Sequence, residues 1–338
     1  MKENSSFLEL SEKLGSNHLL VQGAGGNTSI KDGNVMWIKA SGSWLSEAKT
    51  KDIFVAVNHS KILSSIEKFD ENPLKDVMIK VGSLRPSIET TLHALMSHKV
   101  VLHSHPIELL AFLVLKNGQN RLEKLLKNEN FSWVDYIRPG IELTHASKSA
   151  IKEKKDVNIL LLGNHGLVVG GDDCFKANIL MQRVLDYCKK SKRKLIAFNS
   201  DNLKEIGHQF GMRLPKYQII HSLALDKIAY KYCDHKNGIL YPDQAVFLGP
   251  KMPCFNEVED SFSIDTYMEN NNSIPFIIIK GKGVLVSKNA SPDVDEILRC
   301  HAELLMRIDD NEKLRYLSDI EVDRLLDWEP EKYRQTIT

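Results

Sequence analysis

The sequence lacks the marks of most special environments. No apolar run in it approaches the ~20 residues that a membrane-spanning helix needs. The opening stretch, MKENSSFLELSEKLG, has no apolar signal-peptide core. Lysine and arginine number 45 against 44 acidic residues, a net charge of +1. No global field therefore draws the chain to nucleic acid or to a membrane surface. Cysteine is scarce: Cys174, Cys188, Cys233, Cys254 and Cys300, with no Cys-x-x-Cys pair. An odd, scattered set without a secretory signal predicts reduced thiols in a cytoplasmic protein, and Cys188 and Cys300 fall in helical patterns as packing residues. What remains is ordinary for a globular protein, 42% hydrophobic and 26% charged. The 338 residues are enough for two domains, expected at 1–200 and 215–338 with the polar stretch 199–215 between them.

Histidine carries the first chemical signal. Val100-Val101-Leu102-His103-Ser104-His105-Pro106 reads as a buried strand ended by a proline that cannot donate to a ladder. Alternation puts His103 and His105 on one face, about 7 Å apart along the strand. Two such imidazoles are half of a metal site, though alone they also read as surface histidines on an edge strand. Residues 158–162 form a continuous apolar run, the mark of a strand buried on both faces. The run breaks at Gly163-Asn164-His165-Gly166 and resumes over 167–170. A histidine between glycines at such a break is poorly explained by packing. Ahead of the His103 strand, Arg85-Pro86-Ser87-Ile88-Glu89 starts a helix over 90–97, with Pro86 and Ser87 as start signals. Glu89 then falls in a first turn, where a carboxylate gains some tenths of a kcal/mol from the helix dipole alone. His93, one turn on, reads as a packing or supporting histidine rather than a ligand.

Residues 18–22 read as a short strand leading into Gly23-Ala24-Gly25-Gly26-Asn27-Thr28-Ser29. A dinucleotide fingerprint fails here, because Thr28 takes the third glycine position and no helix follows. Asp32-Gly33 instead turns the chain into a strand over 35–40, so the loop feeds a hairpin. Its N–H groups can hold an anion or simply make a structural turn. Further helices are expected over 3–15, 107–116, 120–127, 148–154, 175–190, 217–233 and 293–308, and strands over 52–57, 131–136, 244–248 and 275–286. Residues 58–81 are polar and carry no clear pattern. The basic run 189–194 complements a helix C-terminus and reads as solvated. Segments 159–190 and 275–308 share one order: apolar run, glycine-flanked polar residue, apolar run, amphipathic helix. Lys282 stands in the second where His165 stands in the first, by degenerate repetition or by chance.

Taken together, GGNTS (25–29), KASG (39–42), RPSIETTLH (85–93), HSH (103–105) and NHG (164–166) resemble the class II aldolase/adducin family. The resemblance covers residues 5–195 and is strongest to the aldolase half of bifunctional rhamnulose-1-phosphate aldolase/dehydrogenase proteins; no dehydrogenase domain fits the remaining residues. It implies an α/β protein of three layers, with a central, mostly antiparallel sheet flanked by helices, plus a smaller C-terminal α/β unit. It implies that His103, His105 and His165 bind Zn²⁺, that Glu89 is the catalytic acid/base, and that Asn27, Ser41, Gly42 and Ser87 hold the phosphate of a small sugar substrate. Fuculose-phosphate aldolases carry a second serine where this chain has Ile88, which removes one hydroxyl donor. The family also implies a homo-oligomer, usually a tetramer with sites at subunit interfaces.

The chemistry suits these residues. Three neutral imidazoles leave zinc its full charge and an open position. A 2-ketose bound through its carbonyl and neighbouring hydroxyl would be polarised, and the enediolate left by C–C cleavage stabilised. A carboxylate must then move a proton, with a pKa raised by apolar surroundings or set by the metal. The expected function is a Zn²⁺-dependent lyase acting on a phosphorylated ketose or related sugar acid. The same parts suit a sugar-phosphate epimerase or a 3-keto-acid decarboxylase, although the family's epimerases tend to carry aspartate at the position of Glu89. A non-catalytic, adducin-like binding protein is the alternative of another class, and such proteins lose metal ligands.

Overall fold

The computed structural model describes residues 4–80, 82, 84–198, 200–256, 261–270 and 274–337, with side chains of 261–263 and 335–337 excepted. The chain divides into two units, residues 1–189 with 333–338, and residues 190–332. In chain order the first unit holds α1 (Ser5–Gly15), β1 (Asn27–Asp32), β2 (Val35–Lys39), β3 (Phe54–Asn58), α2 (His59–Glu67), α3 (Thr90–Leu95), β4 (Val100–Ser104), α4 (Ile107–Leu113), α5 (Gly118–Leu125), β5 (Phe131–Val134), α6 (Ile141–Lys152), β6 (Ile159–Leu162), β7 (Gly166–Gly171) and α7 (Cys174–Tyr187).

Its seven strands run in the order β3-β2-β1-β4-β7-β6-β5, antiparallel throughout except for β5 beside β6. All five residues of β4 are buried, because helices cover both faces of the sheet. Odd-numbered Val101 shares a core cluster with Leu92 and Met96 near α3, Leu143 of α6, Val168 of the neighbouring β7 and Leu160 of β6 beyond it. Even-numbered Ser104 reaches Met181 of α7 instead. Thr28, opposite Leu102, is hydrogen-bonded to Ser11 of α1. These are three layers of the helix–sheet–helix type. Alternation places His103 on the face of Val101, towards α3.

The second unit holds α8 (Asp201–Gln209), β8 (Met212–Arg213), α9 (Ser222–Leu225), α10 (Lys227–Cys233), α11 (Pro242–Leu248), β9 (Cys254–Phe255), α12 (Ser261–Asn270), β10 (Phe276–Ile279), β11 (Gly283–Ser287), α13 (Pro292–Leu305) and α14 (Asp319–Leu326); α15 (Glu329–Ile337) ends the described chain. Four strands form a small sheet, β8-β11-β10-β9. Its core gathers Leu203, Met212, Phe255, Ile264, Ile277, Ile279 and Leu285.

Several expected elements take other forms. Residues 18–22 make no strand; the chain there runs beside residues 105–107, with His105 N–H donating to Leu20 C=O at 2.8 Å and Ile107 N–H to Leu19 C=O at 2.9 Å. Residues 244–248 are helix, not strand: Pro242 starts α11, and Gln244 to Leu248 are buried all round, so the short apolar run had no period to betray it. The long helix expected over 217–233 is broken at Asp226, which is extended and accepts from Ile228 and Ala229 N–H to cap α10. The polar stretch 58–81 contains α2, whose N-cap is Asn58; residue 81 lies outside the described residues. So does residue 199, and most of the expected linker, 201–209 and 212–213, folds into α8 and β8. The two hairpins compared above share one local form. Leu162 pairs with Gly166 and Ile279 with Gly283, and the middle residues of the turns, Asn164 and Gly281, both have positive φ. Lys282 thus takes the position of His165. All five cysteines are free thiols, and no helix among the described residues is long and apolar enough to cross a membrane.

Candidate active site

Strand register assembles the histidines. β4 pairs with β7 so that His103 faces Val168 and Ser104 faces Leu167. Residue 165 therefore lies just beyond the end of β4, where residue 105 has also emerged. The three rings meet with centroids 4.9, 5.0 and 5.3 Å apart, and all are at least 94% buried. His103 Nδ1 lies 3.0 Å from Leu167 C=O. A carbonyl only accepts, so Nδ1 carries a proton and Nε2 is the nitrogen turned towards the group, the arrangement that orients a metal-binding imidazole. His105 Nε2 is 3.1 Å from His103 Nε2. One ligand atom from each of His103, His105 and His165 falls within 4.8 Å of the others, the only such group among the described residues. Nitrogens held ~2.1 Å from a tetrahedral ion sit about 3.4 Å apart. The donor set and spacing therefore fit a divalent cation that favours imidazole.

Glu89 faces this group. As the residue before α3 it is 6% exposed. Its Oε2 is 3.2 Å from His103 Nε2 and its Oε1 is 3.4 Å from His165 Nε2. Burial alone would raise the carboxyl, but His103, His165 and the Asn27 amide outweigh it and hold the group down at about 2. The raised pKa expected from apolar surroundings is thus reversed by the histidines. His93 points elsewhere: Nδ1 pairs with Ser29 Oγ at 2.8 Å, and burial foremost keeps the ring neutral.

Asn27 lies opposite His103 across the β1–β4 pair, and its Nδ2 donates to Glu89 Oε2 at 2.8 Å and to Ser87 Oγ at 3.3 Å. Ser41 and Gly42 form the turn after β2. Ser41 N–H donates to Arg85 C=O at 2.9 Å, and Ser87 N–H to Lys39 C=O at 3.1 Å. The two segments that carry Ser41, Gly42 and Ser87 thus lie side by side.

Two contributors escaped the sequence reading. Lys39, 2% exposed, donates from Nζ to Ala24 C=O and Ser43 C=O, both at 2.7 Å, and so ties the glycine loop to the Ser41–Gly42 turn. Gln22 donates to His18 C=O at 2.7 Å and His105 C=O at 3.3 Å, bracing the loop that carries His105. The signal was present in both: each is a lone polar residue ending an apolar run.

A curated relative, an uncharacterized oxidoreductase (YuxG) of Bacillus subtilis, is 32% identical over 188 residues, covering 50% of this chain and 27% of that protein. The chain therefore matches about a quarter of that relative's length. The L-fuculose phosphate aldolase of Methanocaldococcus jannaschii is 26% identical over 202 residues, covering 57% of this chain and 98% of that protein. Among solved structures, the N-terminal class II aldolase domain of a conserved protein from Thermoplasma acidophilum is 28% identical, covers 54% of this chain and 90% of its own, and gives a TM-score of 0.48. The family model for the class II aldolase and adducin N-terminal domain matches residues 6–190, more than half of the 338. The chain belongs to the class II aldolase and adducin family.

Proposed function

We propose that this protein is a Zn²⁺-dependent lyase that cleaves or forms a C–C bond in a phosphorylated ketose or related sugar acid. One observation carries the reading: a buried carboxylate, Glu89, set 3.2 and 3.4 Å from two of three converging histidines. A binding protein without chemistry has no need of such a group. His103, His105 and His165 would hold the zinc, which would supply Lewis acidity towards the ketose oxygens. Glu89 moves the proton at the carbon whose bond breaks: the departing carbon's hydroxyl gives up its proton to the carboxylate side as it becomes a carbonyl, the electron pair of the C–C bond stays on the ketose carbon and its oxygens, and the carboxyl so protonated returns one proton to that carbon. Asn27, Ser41, Gly42 and Ser87 hold the substrate's anionic end and so orient the ketose. The similarity to an L-fuculose phosphate aldolase supports a phosphorylated sugar. We assign this chemistry to residues 1–200, with 215–338 as a separate domain, and read the active form as a cytoplasmic homotetramer.

The test pairs metal with turnover. Elemental analysis should find about one zinc per chain, and that zinc should be lost in His103→Ala and His165→Ala. Glu89→Gln should keep the zinc yet lose at least a hundredfold in cleavage of phosphorylated ketoses, the scale of an acid/base group. Full turnover by Glu89→Gln removes Glu89 from its role. No zinc uptake by the unaltered protein overturns the lyase reading.

A further inference from the structure

His93 is fully buried, and the proposed chemistry makes no use of it. It lies on α3 one turn beyond Glu89, and its N–H donates to Glu89 C=O at 3.1 Å. Its Nδ1 is 2.8 Å from Ser29 Oγ on β1. Its Nε2 is buried with no hydrogen-bond partner. A buried polar atom left so costs stability, and an apolar side chain would fill the space without that cost. Packing alone thus accounts poorly for an imidazole here. Ser29 stands two residues from Asn27 in β1, so the two side chains share a face. The register sets Asn27 opposite His103 and Ser29 opposite Val101, the face turned towards α3. Asn27 Nδ2 donates to Glu89 Oε2 at 2.8 Å. Two hydrogen bonds, Ser29 with His93 and Asn27 with Glu89, therefore join the same two segments. One such bond leaves a segment free to pivot; two also fix its direction. α3 spans six residues, and Glu89 at its N-cap makes no side-chain cap bond. So short a helix takes its place from tertiary contacts rather than from its own stability.

We propose that His93 is a positioning residue: its bond with Ser29 seats the start of α3 on β1, so that the Glu89 carboxylate stands at working distance from the histidine group. The inference rests on the reading that Glu89 moves the substrate proton. His93 acts through Glu89 and is itself neither a ligand nor a proton carrier. The two carboxylate oxygens lie 3.2 Å from His103 Nε2 and 3.4 Å from His165 Nε2. Those rings belong to different segments, β4 and the β6–β7 turn. A helix start that can slide or tilt does not keep both separations. A misplacement of about 1 Å can cost about a hundredfold in rate.

The test uses the zinc-loaded full chain and the cleavage of phosphorylated ketoses. His93→Leu should lower kcat about ten- to a hundredfold, with zinc content unchanged and KM within about twofold. Asparagine places a nitrogen one bond from Cγ, as histidine does with Nδ1, whereas glutamine reaches only to the position of Nε2. His93→Asn should therefore recover most of the lost kcat, and His93→Gln little of it. Ser29→Ala should lose as much as His93→Leu, and the double variant no more than either. In a Glu89→Gln chain, His93→Leu should cost nothing further. A merely structural role would lower Tm without this pattern. Should His93→Leu fail to fold, Ser29→Ala and the Asn and Gln variants decide. Unchanged kcat in Ser29→Ala overturns the proposal, as do equal recovery by Asn and Gln, losses that multiply in the double variant, or zinc lost together with turnover. A Glu89→Gln chain that loses turnover beside a Ser29→Ala chain that does not sinks the positioning alone. Full turnover by Glu89→Gln, or a chain that cleaves no phosphorylated ketose, sinks the reading of Glu89 and the positioning with it.

Discussion

Gly166→Ala tests how tightly the histidine group is built. Gly166 opens β7 and pairs with Leu162. A Cβ placed there would lie 2.5 Å from the Ser104 carbonyl oxygen, 2.8 Å from His105 Cδ2 and 3.2 Å from His103 Cε1. Carbon and oxygen ordinarily approach no closer than ~3.3 Å, so Ser104 or Gly166 must move by roughly 0.8 Å. Neither moves cheaply, because β4 and β7 are paired along their length from Val100 to Ser104. Overpacking of this kind costs about 1–3 kcal/mol, and a clash with backbone belongs at the upper end. Ligands must also hold their positions within ~0.5 Å to work together. We expect a loss of about 3 kcal/mol in urea unfolding and of ten- to a hundredfold in zinc affinity, the scale seen when ligand orientation is disturbed. Gly33→Ala is the control: nothing lies within 4 Å of its Cβ, and its positive φ should cost about 1 kcal/mol of strain without touching zinc. If Gly166→Ala unfolds normally and binds zinc as before, the close approach of β7 to the histidines is wrong.

Gln22→Leu removes the donor to His105 C=O and should lower zinc affinity about tenfold with little change in Tm; competition against a chelator measures it, and an unchanged affinity removes Gln22 from the support of the site. In the second unit, His221 Nδ1 accepts from Val284 N–H at 3.2 Å, its ring stacks on Phe198, and burial pulls it from 6.5 down to about 4. The unfolded chain therefore takes up this proton first as pH falls. The neutral ring's contribution is complete above about 6.5 and is lost progressively towards about 4, by at most about 3 kcal/mol. His221→Phe should lack that loss, so urea unfolding at pH 7 and pH 4.5 should show a smaller acid penalty than in the unaltered protein; equal penalties refute it.

Much of the first unit was legible from local pattern. Runs 158–162 and 167–170 announced buried strands because strands covered on both faces need apolar residues at every position. Asp32-Gly33 announced a hairpin because its turn needs the positive φ that Gly33 adopts. Elsewhere, local pattern was silent or misleading. Residues 244–248 had apolar character without period, and only burial around the whole of α11 decided for helix. Residues 18–22 had strand composition, but the neighbour they met was the loop after β4, not a strand.

The sequence by itself determined which residues could do chemistry: a carboxylate at a helix start, two histidines two apart, and a histidine between glycines. It carried these as residue types in motifs, which chain-local physics makes readable. Tertiary structure alone decided that they meet. The β4–β7 register brings His165 beside His103 and His105, and the β1–β4 register sets Asn27 against Glu89. It also decided the sign of the Glu89 shift, which depends on charges supplied from β4 and from the β6–β7 turn. Distances of this kind are fixed by pairings between remote segments, so no pattern within one segment encodes them.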